Sequence, residues 1–205
     1  MRHAISSEGF GVRLRPVRLD DARFIVWIRS LEHARGRVGD SAASIASQEQ
    51  WLKDYFAREG DYYFVIETAQ GRRPVGTYGL YDLREGSAES GRWIIRPEVP
   101  AAIPSAILAL DLAFGTLNLK EVRATTVSTN RRVLSLNRKF GFRQVRVDPA
   151  AQVIGGQPVD LVRFVLAPGD WADARERLLP HAALAEQQVR DWDQSPAAAV
   201  TPTEY

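Results

Sequence analysis

"TNRRVLSLNRKFGF", residues 129–142, reads as one short basic helix closed by a glycine. Asn130, or Thr129 before it, is a good N-cap, because its side-chain oxygen takes one of the orphan N–H groups of the first turn. Val133, Leu136 and Phe140 recur at i, i+3 and i+7, which predicts one buried apolar stripe. Gly141 falls where a helix commonly ends in a left-handed residue. Arg131, Arg132, Arg138 and Lys139 occupy the other face, with Asn137 beside them. Such a segment is by itself a capped helix with a solvated basic face. Whether it also holds a ligand depends on what flanks it.

Upstream, "KEVRATTV" is a strand feeding directly into this helix, and before it lies a helix with Ile107, Leu110, Phe114 and Leu117 on its buried face. Pro104 is expected at the first position of that helix, where a missing N–H costs little. "SAESGRWIIR" is a strand stopped at Pro97, and "DYYFVIETA" pairs with "PVGTYGLYDL" through the turn "QGRR". Nearer the N-terminus, Ser47 is read as the cap of a helix bearing Trp51, Leu52 and Phe56. The loop "GRVGDSAAS", the helix "DDARFIVWIRSLEH" and the strand "FGVRLRPVRL" precede it. Downstream, "FRQVRVD" and "VDLVRFVLA" form a hairpin through Gly155–Gly156. "DWADARERLLPHAALAEQQVRDW" is helical, with a break expected near Pro180.

The order β-α-α-β-β-β-α-β-α-β-β, with an added C-terminal helix, predicts an α/β (α+β) domain. Its mixed sheet should have about seven strands, with helices on both faces. The expected divisions are a tail over 1–8, the domain over 9–167, a helical extension over 168–192 and a loose tail over 193–205.

Composition narrows the function by exclusion. The chain has no cysteine, so disulfides and thiolate chemistry are out. A net charge of +2 is too small to argue for nucleic acid. The charge is unevenly spread: three arginines face seven acidic residues from residue 168 on, leaving 24 basic against 18 acidic residues before it. No apolar run reaches the ~18 residues of a membrane helix. The start "MRHAISSEGFG" lacks a signal peptide's apolar core, so a cytoplasmic location and no membrane partner are expected. His3, His33 and His181 show no spacing that suggests a metal site or a triad, and no metal is expected.

The element order resembles the GNAT superfamily of acyl-CoA-dependent N-acyltransferases. The likeness covers roughly residues 10–167 and is carried by "VGTYGLYDL", by "AESGRWIIRPE" and by "TNRRVLSLNRKFGF", in that order. "LRPVRLDDARFIVWIRS" followed by "SQEQWLKDYF" is similar to bacterial enzymes that acetylate nucleotide-linked amino sugars, and also to ribosomal-protein N-terminal acetyltransferases. The first acceptor class serves surface polysaccharide. A GNAT-shaped binding or regulatory protein without catalysis is the rival from another class.

The resemblance implies acetyl-CoA as co-substrate. Its pyrophosphate would meet the backbone of "RPEVPAAIPSA", with Ala101, Ala102, Ile103 and Ser105 supplying N–H groups at a helix start. The family's glycines are missing from that loop, and Pro100 and Pro104 delete two donors. The backbone of Trp93, Ile94 and Ile95 would run along the pantetheine as an added strand does. Asn130 would lie near the cofactor, and Arg131, Arg132 and Lys139 would be phosphate partners.

Acetyl transfer also needs a base for the amine and a proton for the leaving thiolate. Many members place a tyrosine acid where this chain has Asn137, and an amide can only hydrogen-bond the sulfur or position substrate. Glu89, then Asp82, are the candidate bases. Tyr78, Tyr81 and Ser90 are alternative donors. Arg29, Arg35 and Arg37, with Tyr81, are the candidates for a small-molecule acceptor carrying a nucleotide diphosphate, since guanidinium pairs bidentately with phosphate. Trp27 and Trp51 either stack on a base or pack in the core. A monomer or homodimer is expected.

Overall fold

The computed structural model describes residues 2–31 and 44–199. Its centre is one mixed sheet of eight strands. These are β1 (Ser7–Gly9), β2 (Val12–Pro16), β3 (Tyr62–Thr68), β4 (Pro74–Arg84), β5 (Ser87–Ile95), β6 (Glu121–Val127), β7 (Arg143–Ile154) and β8 (Gln157–Leu166). Their order is β1-β2-β3-β4-β5-β6-β8-β7. Every neighbouring pair is antiparallel except β5 and β6. The strand beyond the expected seven is β1, a short piece folded back on β2 inside the stretch taken for a tail.

Five α-helices cover the sheet: α1 (Ala22–Ser30), α2 (Ile45–Ala57), α3 (Ala102–Asp111), α4 (Arg131–Lys139) and α5 (Pro168–Asp193). α3 runs on into one π-helical turn, Leu112–Thr116. β3 shows why both faces are covered. Tyr63 and Val65 enter a core with Ile25, Ile28, Leu52 and Tyr55 of α1 and α2. Phe64 and Ile66, pointing the other way, join Ile107, Phe140 and Phe164 in the larger core under α3 and α5. A strand buried on both faces cannot alternate with polar residues, hence the unbroken run YYFVI.

Three local expectations are corrected. Ser44, not Ser47, caps α2: its side chain accepts from Ser47 N, and Ser47 returns a hydrogen bond as the third residue of a capping box. Pro104 is the third residue of α3 rather than the first, still inside the turn whose N–H groups have no helical partner. α5 does not break at Pro180. That proline is exposed, so the carbonyl it releases meets water, and the stripe Ala174, Leu178, Ala182, Ala185 and Val189 stays buried across it. Continuous burial outweighs the ~3 kcal/mol a helical proline costs.

α5 is fastened at both ends. Trp171 Nε1 donates to Asp111 at 3.0 Å and Arg175 Nε to the same carboxylate at 2.9 Å, tying its start to α3. At its far end Asp193 accepts from Thr68 Oγ1 at 2.9 Å and Gly71 N at 2.7 Å, and pairs with Arg73 at 3.2 Å. Arg73 also donates to the carbonyl of Ala198, itself 2 % exposed, so residues 193–198 are docked rather than loose.

Candidate active site

The site is a gap in the sheet. β5 and β6 pair only from Ser87↔Glu121 to Ser90↔Ala124, although both strands continue. The cause lies in β5. Between Gly91 and Ile94 that strand holds one more residue than β4 opposite, and Arg92 takes φ +50°. A bulge of this kind bends the strand that carries it. Thr77 Oγ1 donates to the Arg92 carbonyl at 2.7 Å and holds the bend.

A cavity of about 580 Å³ fills the opening and reaches through the sheet. On the α1–α2 face it is walled by Arg29, Trp51, Arg58, Tyr81 and Arg92, with Gln152 and Leu161 from the β7–β8 hairpin. On the other face stand Trp93, Ile95, Ala102, Asn130, Arg132 and the α4 side chains Val133, Leu136 and Asn137. Gly91 lets the Tyr81 ring lie close against the wall, since a Cβ there would stand 2.6 Å from the Tyr81 hydroxyl and push it aside.

α4 does not sit as its apolar pattern predicts. Phe140 is buried, but Val133 and Leu136 are half-buried: both line the cavity, and Leu136 also packs against the core. Asn137, expected among the basic residues, is 6 % exposed, and its Nδ2 has no partner among the described residues. A buried N–H donor without an acceptor is rare, and here it belongs to a residue of the cavity wall. Asn130 does cap α4, accepting from Val133 N at 3.3 Å. Gly141 ends the segment at φ +87°, where a Cβ would lie 2.8 Å from the Asp170 carbonyl.

Of the loop donors, Ala101 N is already bonded to Val99 O and Ser105 N to Ala101 O, so neither N–H is available to a ligand. The Ser105 hydroxyl is buried between Trp93 Nε1 and Ala102 O. Ala102 and Ile103 remain, with N–H groups that make no hydrogen bond among the described residues. Arg96 stiffens the loop: it is 7 % exposed, bonds Glu98 at 2.6 Å, and lies between the Trp27 and Trp192 rings at 5.2 and 5.0 Å.

The candidate acid and base stand behind the wall. Tyr78 is in the core, its hydroxyl 2.7 Å from Ser90 Oγ, and burial pushes its ionisation up to about 12. Ser90, not Tyr78, reaches the cavity. Burial raises the Glu89 carboxyl above its ordinary value, while its hydrogen bonds with Thr125 and the charges of Arg123 and Arg163 oppose the rise. Thr125 is on the wall and Glu89 behind it.

The acceptor-side arginines are only partly accounted for. Arg29 hydrogen-bonds Tyr63. Arg35, Arg37 and His33 lie outside the described residues. Arg58 and Arg92 were not singled out in the sequence. Arg92 grips Asp61 at 2.6 and 2.9 Å and stacks 4.3 Å over Tyr81. Its signal was the Gly-Arg pair interrupting an apolar strand, which marks a bulge. Arg131 is exposed and lines no cavity described here, Arg132 is shared by the sheet cavity and two grooves beyond it, and Lys139 lines one of those grooves.

The family described as "Acetyltransferase (GNAT) domain" matches residues 12–143. The chain belongs to the GNAT acetyltransferases. No curated protein matches it. Among solved structures, this GNAT chain is similar to a GCN5-related N-acetyltransferase from Brucella melitensis, with 19% identity over 93% of this chain and 96% of that one and a TM-score of 0.76. A nucleotide-linked sugar GNAT, FdhC, is 24% identical over 88% and 98% of the two chains, TM-score 0.71. A variant of the spermidine N-acetyltransferase SpeG from Vibrio cholerae is 22% identical over 80% and 98%, TM-score 0.72. These likenesses are of fold. Among the described residues no cluster of His, Asp or Glu has the size of a metal site, and no helix is long and apolar enough to cross a membrane.

Proposed function

We propose that this GNAT enzyme transfers an acetyl group from acetyl-CoA to the amino group of a nucleotide-linked amino sugar destined for surface polysaccharide. The observation that carries the acceptor class is the composition of the α1–α2 side of the cavity. Arg29, Arg58 and Arg92 surround Trp51 and Tyr81; of the carboxylates near Tyr81, Asp61 is taken by Arg92 and Glu89 stands behind the wall. A polyamine would meet like charge there. A nucleotide diphosphate instead meets the positive charge of three guanidinium groups gathered round a Trp51 ring that is itself stacked on Tyr55. The nucleotide-linked sugar acceptor of FdhC is of this class.

The donor side fits acetyl-CoA on this chain's own features: an opening between parted strands, an unpartnered amide at Asn137, and two free N–H groups at the start of α3. The edges of β5 and β6 take the pantetheine arm between them, and Ala102 and Ile103 receive phosphate at the positive end of the helix. When bound, acetyl-CoA supplies a thioester whose C–S bond breaks as the acceptor nitrogen forms the amide. Glu89 holds the proton that nitrogen loses, reached through the Thr125 hydroxyl. Its raised ionisation makes it a better base near neutrality than an exposed carboxylate. Asn137 donates its free N–H to the charge that builds as the bond breaks, and Ser90, backed by Tyr78, returns a proton to the sulfur side.

The test is thiol release from acetyl-CoA across acceptors, for which a cysteine-free protein gives no background. Nucleotide-linked amino sugars should be turned over with kcat/KM at least tenfold above spermidine or an N-terminal peptide. A preference for spermidine would overturn the acceptor assignment. Binding of acetyl-CoA with no turnover of any amine would overturn catalysis.

A further inference from the structure

α5 lies beyond the residues that match the family, yet it borders the donor side of the site. A second cavity of about 500 Å³ begins where the first ends. It shares Ala102, Arg132 and Leu136 with the opening in the sheet, and its far wall is the face of α5 bearing His181, Leu184, Ala185 and Gln188. That spacing of three, four and seven residues puts these side chains on one stripe of a helix.

The charge on this stripe is unlike that of the rest of α5. The helix carries six acidic residues, and none of them lines the groove. Opposite the stripe stand Arg132 and Lys139 of α4, which make no ion pair among the described residues. Leu184 is 64% exposed, a large apolar side chain with nothing described to cover it. The groove therefore has an anion-favouring side, two free helix-end N–H groups at its entrance, and an apolar strip beyond them.

We propose that this stripe of α5 forms the outer wall of the site for the nucleotide end of the acyl donor: Arg132, Lys139 and His181 face its phosphates, and Leu184 with Gln188 flanks the purine. The proposal rests on the acetyl-CoA reading above. It assigns to the C-terminal helix part of the grip that a loop without glycines and with three prolines supplies poorly. Of the donors expected at the start of α3, Ala102 and Ile103 alone keep an N–H that makes no hydrogen bond among the described residues, so affinity has to come from side chains farther along.

The test uses binding rather than turnover. The full chain has three histidines, so the His181 imidazole resonance can be assigned by its loss in His181→Gln. It should move on titration with CoA and stay still with pantetheine, which lacks the nucleotide. In calorimetry, the double variant His181→Glu, Gln188→Glu should weaken CoA about tenfold or more, as like charge near a phosphate does. Its apo melting temperature should match wild type. An imidazole that ignores CoA, or an unchanged dissociation constant, would overturn the proposal while leaving the donor reading intact. Wild-type protein that binds no CoA would overturn both.

Discussion

Replacing Asn137 by leucine should make the protein more stable and a worse enzyme. The side chain is 6 % exposed and its Nδ2 has no acceptor. A buried polar group left unsatisfied costs about 1–3 kcal/mol, and leucine of similar size removes that cost among Val133 and Leu136 while being a better helix former. Taking the lower bound, about 1 kcal/mol, the melting temperature without ligand should rise ~2–4 °C for a chain of this length. Activity should move the other way. If the free N–H is aimed at developing charge, its loss should lower kcat by ~10²–10³, the usual size for one such donor. Calorimetric melting and thiol release on the same preparation read the two effects. An N137L protein that melts at or below wild type, with undiminished turnover, would refute the reasoning, because the amide would then be a satisfied structural group.

Two further outcomes follow from charges described above. With Glu89 as the proposed base, ionised when it takes the proton and lifted by burial, kcat/KM should fall on acidification through a limb lying above the ordinary carboxylate value of 4.5, and Glu89→Gln should abolish both the limb and most of the activity. Asp193→Ala leaves Thr68 and Gly71 without their acceptor and Arg73 without its carboxylate. It should cost about 3 kcal/mol, ~6–12 °C of melting temperature, with Asp193→Asn recovering part of it.

The fold was largely legible because its elements announce themselves locally. YYFVI can only be a strand buried on both faces, and Gly155–Gly156, both at positive φ, can only be a tight turn. The site was less legible because its residues break the rules that make elements readable. Val133 and Leu136 have the spacing of core residues, but an apolar side chain that lines a cavity has the same spacing. Helical spacing put Asn137 on the basic face because it is polar, while the family resemblance put it at the reacting sulfur; in the structure it is turned inward. Arg92 interrupts a strand in a way sequence marks as irregular, but its partners Asp61 and Tyr81 come from two other segments. Pro180 read as a break because the continuous stripe that overrides it becomes decisive only once α3 and the sheet are in place.

The clasp between Asp193 and the β3–β4 turn also governs how the protein is made. Thr68 and Asp193 are 125 positions apart, so the turn emerges from the ribosome long before the residue that secures it. Until the last turn of α5 is released, the core side chains it covers stay open to solvent and to proteases, and the nascent sheet has to wait in a partly finished state. A chain that ends even a few residues short of Asp193 never closes the clasp.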